Sequence, residues 1–375
     1  MIWRAVFKRF LIFSDWILSS LFSRESLRVA PPPKAVLFAN LGHLGDCVIS
    51  TAVISRFHSI YPDAKLGVLC SESGRLVFSK LEYISDIHVV DHWSLNRGKG
   101  PIWVKILNYI RQSFFVRRAI LEKKYDIGID LRSFFGNAHI ILWISKIGYI
   151  LGFRVFPSFV LSANFFDDTK DTMPEAEVHL ELLRFAGLLP AFDKEAIRYD
   201  LGLSRHDNNN SEILLAGRYV VFHPISGHPS KNWDMQKWCD LVDYFIDRSI
   251  NVVFTGTEAD RNLILKYIEM REGVFVYAGI GDWNKFLATI MDATLVVTVD
   301  TVASHIASAL NVPVVVIFSG GTSPKRWGPL GDKNMVVTKE QRQMSRDNYK
   351  RLCFIDDVVE ISVSEVIRAI SRFID

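Results

Sequence analysis

The chain has 375 residues, more than a single hydrophobic core ordinarily organises, so two domains are expected. With 49% hydrophobic, 12% aromatic and 23% charged residues, its composition is that of a folded globular protein and excludes a largely disordered one. A formal charge of +3 gives no reason to expect nucleic acid as a partner, and Cys47, Cys70, Cys239 and Cys353 have neither zinc-site nor disulfide-framework spacing, which suits a reducing compartment.

Residues 2–22 are apolar but interrupted by Arg4, Lys8, Arg9, Ser14 and Asp15, and no small-residue cleavage site follows. Arg4, Lys8, Asp15 and Ser19 are spaced to share one helical face, while Trp3, Phe7, Phe10, Ile17 and Leu21 populate the remainder. Two readings stand level: a helix lying in the membrane interface, and a helix packed on the protein's own surface. A spanning helix is disfavoured, because an unbroken apolar run of about 20 residues is missing. Pro31, Pro32 and Pro33 then form a stiff spacer, closing an N-terminal segment of residues 1–33.

From Ala35 onward, short apolar runs alternate with helix-length amphipathic ones, the signature of βαβ units and a parallel sheet. Strands are expected at 35–39, 66–70, 87–90 and 127–131, with a helix over 103–122 that is basic on its polar side. A second series follows at 219–223, 252–255, 275–277, 295–298 and 314–318. The polar stretch 203–212, centred on Asn208, Asn209 and Asn210, separates a first domain at 34–203 from a second at 213–350. The fold class is therefore α/β, with two Rossmann-like halves, and facing halves would make an interdomain cleft lined by the residues just after strands.

The first such stretch runs from Asn40 to Asp46, with Gly42, His43 and Gly45 between a strand and a helix. Two glycines let backbone N–H groups approach an anion or a substrate, and the helix start adds positive potential. Asp46 has two readings there, an N-cap or a general base that takes a proton from an attacking hydroxyl. The dinucleotide fingerprint GxGxxG is absent, which removes the nicotinamide reading.

The stretch 223–233 offers Ser226, Ser230, the Gly227 backbone and the Lys231 ammonium to a diphosphate, or else forms a polar loop with a solvated lysine and a core tryptophan, Trp233. In the turn 254–258, Glu258 either accepts hydrogen bonds from a nucleoside ribose or sits in a helix's first turn for its dipole. Asp300 closes a strand and Thr301 opens a helix, a ready phosphate site in which Asp300 caps the helix or holds sugar hydroxyls. His305, one turn along, is read equally as a half-buried helix histidine. The turn-rich loop 320–329, with Lys325 and Arg326, suits a lid or an ordinary surface loop.

Taken in this order, Leu44-Gly45-Asp46, Tyr61-Pro62-Asp63-Ala64, Lys231-x-Trp233 and Asp300-Thr301 with His305 resemble the pattern of glycosyltransferase family 9, the lipopolysaccharide heptosyltransferases, over about residues 34–329. The resemblance implies a GT-B type fold with an N-terminal acceptor-binding domain and a C-terminal nucleotide-sugar-binding domain. It implies inverting transfer from an ADP-heptose-like donor to a lipid-linked glycan at the inner face of the cytoplasmic membrane, by a cytoplasmic, peripheral enzyme. Asp46 would be the base, Lys231 would hold the diphosphate, and Ser226 and Gly227 would line the same site. Glu258 would meet the nucleoside, while Asp300, Thr301 and His305 would contact donor phosphate or sugar.

No metal or other cofactor is expected. The closing residues 351–375 would form a helix that crosses back to the first domain. Val302 stands where the family usually has glycine after Asp-Thr. That departure leaves room for a different nucleotide sugar, or for a silent sugar- or nucleotide-binding protein.

Overall fold

The computed structural model describes residues 28–95, 98, 100–136, 138–169, 171–203, 217–319, 321–339 and 357–374. The expected amphipathic helix at 2–22 and residues 204–212 of the polar separator lie outside the described residues. The chain divides into two compact units, Met1–Gly202 and Leu203–Asp375.

The first unit is built on six strands: β1 (Ala35–Asn40), β2 (Lys65–Cys70), β3 (Ile84–Val89), β4 (Ile127–Asp130), β5 (Tyr149–Phe153) and β6 (Ala163–Phe165). They pair in parallel in the order β3-β2-β1-β4-β5-β6. A parallel sheet covered by helices on both faces needs strands that are apolar throughout, and Val36, Leu37, Phe38 and Ala39 are all fully buried. The helix Leu44–Ile60 follows β1 and buries Cys47 to Ile54 almost without a break.

The second unit repeats this plan with β7 (Tyr219–His223), β8 (Asn251–Phe254), β9 (Val274–Val276), β10 (Leu295–Val299), β11 (Val314–Ile317) and β12 (Asn334–Val337). These strands are also parallel, in the order β12-β11-β10-β7-β8-β9. In each sheet the winding reverses next to the first strand, between β1 and β4 and between β7 and β10. At such a switch point the loops leaving the two strands diverge and open a crevice at their carboxyl ends.

Three strands were not expected from sequence. β5 follows the apolar helix His139–Ile144 too closely for periodicity to separate the two, β6 has three residues, and β12 is a half-buried edge. The closing helix Val363–Ile370 falls within the second unit. Its Val366, Ala369 and Ile370 join the second unit's own core, with Val315, Ile317 and Trp233. No described helix is long and apolar enough to cross a membrane.

Candidate active site

At the first switch point, Asp46 and Arg132 meet. Asp46 is the third residue of the helix after β1, and Arg132 lies two residues past β4. Arg132 Nη1 stands 2.9 Å from Asp46 Oδ2, with both side chains about 15% exposed. The same oxygen accepts the His43 N–H at 2.7 Å, so Asp46 reaches back to cap the helix start. His43 occupies the N-cap position, which corrects the expectation of Asp46 as the N-cap residue itself.

Asn40, buried at the end of β1, fixes this turn from below. Its amide donates to Asp46 O and Ser50 Oγ, and its Oδ1 accepts from the Gly42 N–H at 2.9 Å. The Gly42 carbonyl accepts from Ser71 Oγ, which ties the loop after β2 to the one after β1. Gly42 thus has both of its backbone groups engaged within the turn. It is glycine because a Cβ would lie 2.6–2.7 Å from Arg132 Nη1, Asp46 Oδ2 and Asn40 Oδ1. Gly45, expected beside it, is the second residue of the helix.

Burial works against the charge of Arg132, but Asp46, Glu175 and Asp130 outweigh it and raise the guanidinium pKa. Asp130 closes β4 fully buried, and that burial pushes its carboxyl up against the counter-effects of His139 and of the Arg132 and Ala138 N–H groups. Glu175 takes a hydrogen bond from Ser133 Oγ at 2.7 Å and faces His179 Nε2 at 3.3 Å. Nearby His92 is held down to about 4 by burial and by the positive charge of Arg132.

At the second switch point, Lys231 and Asp300 meet in the same way. Lys231 ends the 3-10 turn Pro229–Lys231 after β7, and its Nζ donates to Oδ2 of Asp300, directly after β10. Thr322 Oγ1 donates to the same carboxylate oxygen at 3.2 Å. Asp300 therefore does not cap the following helix. Thr301 is the N-cap, accepting from the Ala303 N–H, and its hydroxyl meets that of Thr298 at 2.9 Å. His305 lies one turn further in and is 4% exposed, deeper than the half-buried histidine expected.

Ser226 shapes the loop between β7 and Lys231. Its N–H donates to Asn232 Oδ1 and its hydroxyl to His228 O, while Gly227 is exposed. Trp233 is a core residue whose Nε1 donates to Ile361 O, as one of its two readings had it.

Along the same sheet edge, His223 at the end of β7 meets Thr255 Oγ1 at 3.0 Å, and burial holds its ring down to about 4. Thr255 opens onto a cavity of about 250 Å³, lined also by Glu258, Tyr277, Asp282 and Phe286. Glu258 is the first residue of the helix Glu258–Tyr267 and exposed, so a helix-dipole role and a ligand role are both met by its position. Arg326, expected as a lid cation, is 1% exposed within the short helix Pro324–Trp327, leaving Lys325 as the exposed cation of that loop. Among the described residues, no group of three or more His, Cys, Asp or Glu side chains is gathered that would hold a metal ion.

Sequence reasoning did not single out Arg132, Thr322 or His223. The rule that residues just past a strand line the crevice points to Arg132, His223 is the last residue of its strand, and Thr322 reaches the site only through folding of a long loop.

Two doubly wound parallel units, each with a charge pair at its switch point, have the GT-B type of fold. The pattern of Glycosyltransferase family 9 (heptosyltransferase) matches residues 114–354, more than half of the chain, and the protein belongs to that family. It is 24% identical over 293 residues to lipopolysaccharide heptosyltransferase 3 of Escherichia coli K12, across 76% of this chain and 82% of that protein. Its fold is similar to that of a family 9 glycosyltransferase from Veillonella parvula (TM-score 0.74, 20% identity, 92% and 98% of the two chains). It is also similar to that of the E. coli ADP-heptose heptosyltransferase II (TM-score 0.71, 19% identity, 91% and 98%).

Proposed function

We propose that this glycosyltransferase moves a heptose from ADP-heptose, with inversion, onto a lipid-linked core glycan of lipopolysaccharide. The observation that carries the reading is the pairing of a candidate base with a cation at the first switch point and of a phosphate-binding lysine with a carboxylate at the second. The names of the relatives above support heptose as the sugar and lipopolysaccharide as the acceptor.

In this reading the acceptor oxygen attacks the anomeric carbon from the face opposite the diphosphate, and its proton passes to the Asp46 carboxylate. The bond from the anomeric carbon to the diphosphate oxygen breaks, and its electron pair leaves on the diphosphate. Lys231 meets that charge together with the helix start at Thr301, so no metal is needed. Asp300 keeps the Lys231 ammonium in position before the donor arrives, and with Thr301 and His305 then contacts phosphate or sugar. Ser226 and Gly227 shape the diphosphate loop. Glu258 accepts from the ribose hydroxyls at the mouth of the 250 Å³ cavity, where Tyr277 and Phe286 give apolar walls for the base. Work on a lipid-linked acceptor puts the enzyme on the cytoplasmic face of the inner membrane, with residues 2–22 as one attachment.

A donor other than ADP-heptose is the second reading, favoured by Val302 where the family usually has glycine. Binding of a nucleotide-sugar panel to wild type and Lys231→Ala tests both. Selective ADP-heptose binding, lost in Lys231→Ala, is expected. Preference for a UDP- or GDP-sugar overturns the donor, and no nucleotide binding at all favours a silent protein. Asp46→Asn is expected to abolish transfer while donor binding persists, and retained turnover sinks the base assignment.

A further inference from the structure

The helix Ile102–Lys123 follows β3 and buries Ser113, Val116 and Ile120 against the first unit. Elsewhere on its surface it carries Trp103, Leu107, Ile110 and Phe114, exposed at 62%, 57%, 45% and 64%. At 3.6 residues per turn, steps of four, three and four residues set these side chains in one narrow stripe along the helix. Phe115 widens it, with the Arg111 guanidinium 5.6 Å above its ring. Exposed Trp143 extends the surface on the helix His139–Ile144, whose Ile144 carbonyl accepts from Arg117 Nε at 2.8 Å.

A stripe of this kind on a folded protein marks a contact surface. Its charge selects the contact. The helix carries Lys105, Arg111, Arg117, Arg118 and Lys123 against one acid, Glu122, which pairs with Arg118, while Lys123 pairs with Asp86 from β3. An apolar protein partner would need the stripe but not the excess of cations, whereas an anionic bilayer surface uses both. Arginines flanking exposed Trp and Phe suit the headgroup boundary, where the stem or ring is apolar and the tip is wet.

We propose that this face docks the enzyme on an anionic phospholipid surface. Trp103, Leu107, Ile110 and Phe114 sit at the acyl boundary, with Arg111 and Arg118 among headgroup phosphates. The helix lies near the site: its Tyr109 ring packs against His92, which also meets Phe135, three residues from Arg132, the partner of Asp46. A lipid-anchored acceptor would thus be held near the base. That benefit rests on the acceptor proposed above, but the docking itself is measured without turnover.

The full-length protein is sedimented with vesicles of phosphatidylcholine alone or mixed with phosphatidylglycerol, at low and high salt. Wild type is expected on the anionic vesicles, with binding that falls as salt rises. Leu107→Glu/Phe114→Glu and, separately, Arg111→Glu/Arg118→Glu are expected to lower it by about tenfold. Both pairs are exposed, so melting temperature and transfer to a delipidated acceptor should stay at wild-type level. Either pair binding as wild type does, or equal binding to neutral vesicles, overturns the proposal. So does a result in which wild type ignores vesicles and the Glu variants only break a self-association. A chain that docks but transfers no heptose sinks the proposed reaction and leaves the docking face standing.

Discussion

Gly42, Asp46 and Arg132 interlock so closely that one added methyl group tests their geometry. In Gly42→Ala the new Cβ would press on Arg132 Nη1, Asp46 Oδ2 and Asn40 Oδ1, and buried Asn40 cannot retreat. The expected cost is about 1–3 kcal/mol, read by urea unfolding, with a larger proportional loss of transfer because the strain falls on Asp46. Arg132→Met removes the cation that holds Asp46 and leaves Glu175 and Asp130 without its charge, so both turnover and stability should fall. Wild-type turnover in that variant would show that the pairing is incidental.

Two histidines whose rings are held neutral by desolvation make stability depend on pH. His92 and His223 are each lowered from 6.5 to about 4, so between those values the unfolded chain binds more protons than the native one. Their contribution is fully present above pH 6.5 and is lost as pH falls toward 4. The urea midpoint should therefore drop from pH 7 to pH 5, and His92→Gln combined with His223→Gln should flatten that slope. An unchanged slope would place the acid sensitivity in other groups.

At the scale of elements, the loops after first strands are held by their neighbours more than by their own residues. Trp233, two residues past Lys231, packs edge-on against Trp238 and donates to the Ile361 carbonyl, joining the Lys231 turn to the end of the chain. Trp233→Ala should cost about 3–5 kcal/mol and weaken donor binding through the turn, which calorimetry with and without nucleotide would separate. If donor affinity is unchanged once stability is corrected for, the Lys231 turn is rigid on its own. The strands around these loops were legible because buried parallel strands are apolar end to end, as at Val36–Ala39 and Val314–Ile317. β5, β6 and β12 were not, since a short strand beside an apolar helix, or half-buried at an edge, has no period of its own.

Across the whole molecule, each unit has its own parallel sheet and its own buried core. Heat unfolding should resolve two transitions, and a nucleotide that binds the second unit should raise only one of them. Lys231→Ala should remove that shift. A single transition that moves as a whole with ligand would instead show the two units unfolding together.

The sequence by itself determined the α/β class, the doubling of the fold and the order of its glycine- and charge-bearing turns, because these follow from local periodicity and from which residues end a strand. It also placed Asp46, Glu258 and Asp300 at the ends of strands or starts of helices, and Lys231 in the loop after the first strand of the second series. Only the tertiary structure decided which charge faces which. Arg132 comes to Asp46 across 86 positions and Asp300 to Lys231 across 69, since winding in both directions from a first strand brings the fourth strand of each unit beside it. The packing of the last helix on the second sheet was settled in the same way, by an apolar face that fits Val315 and Ile317 and whose sequence pattern names no partner.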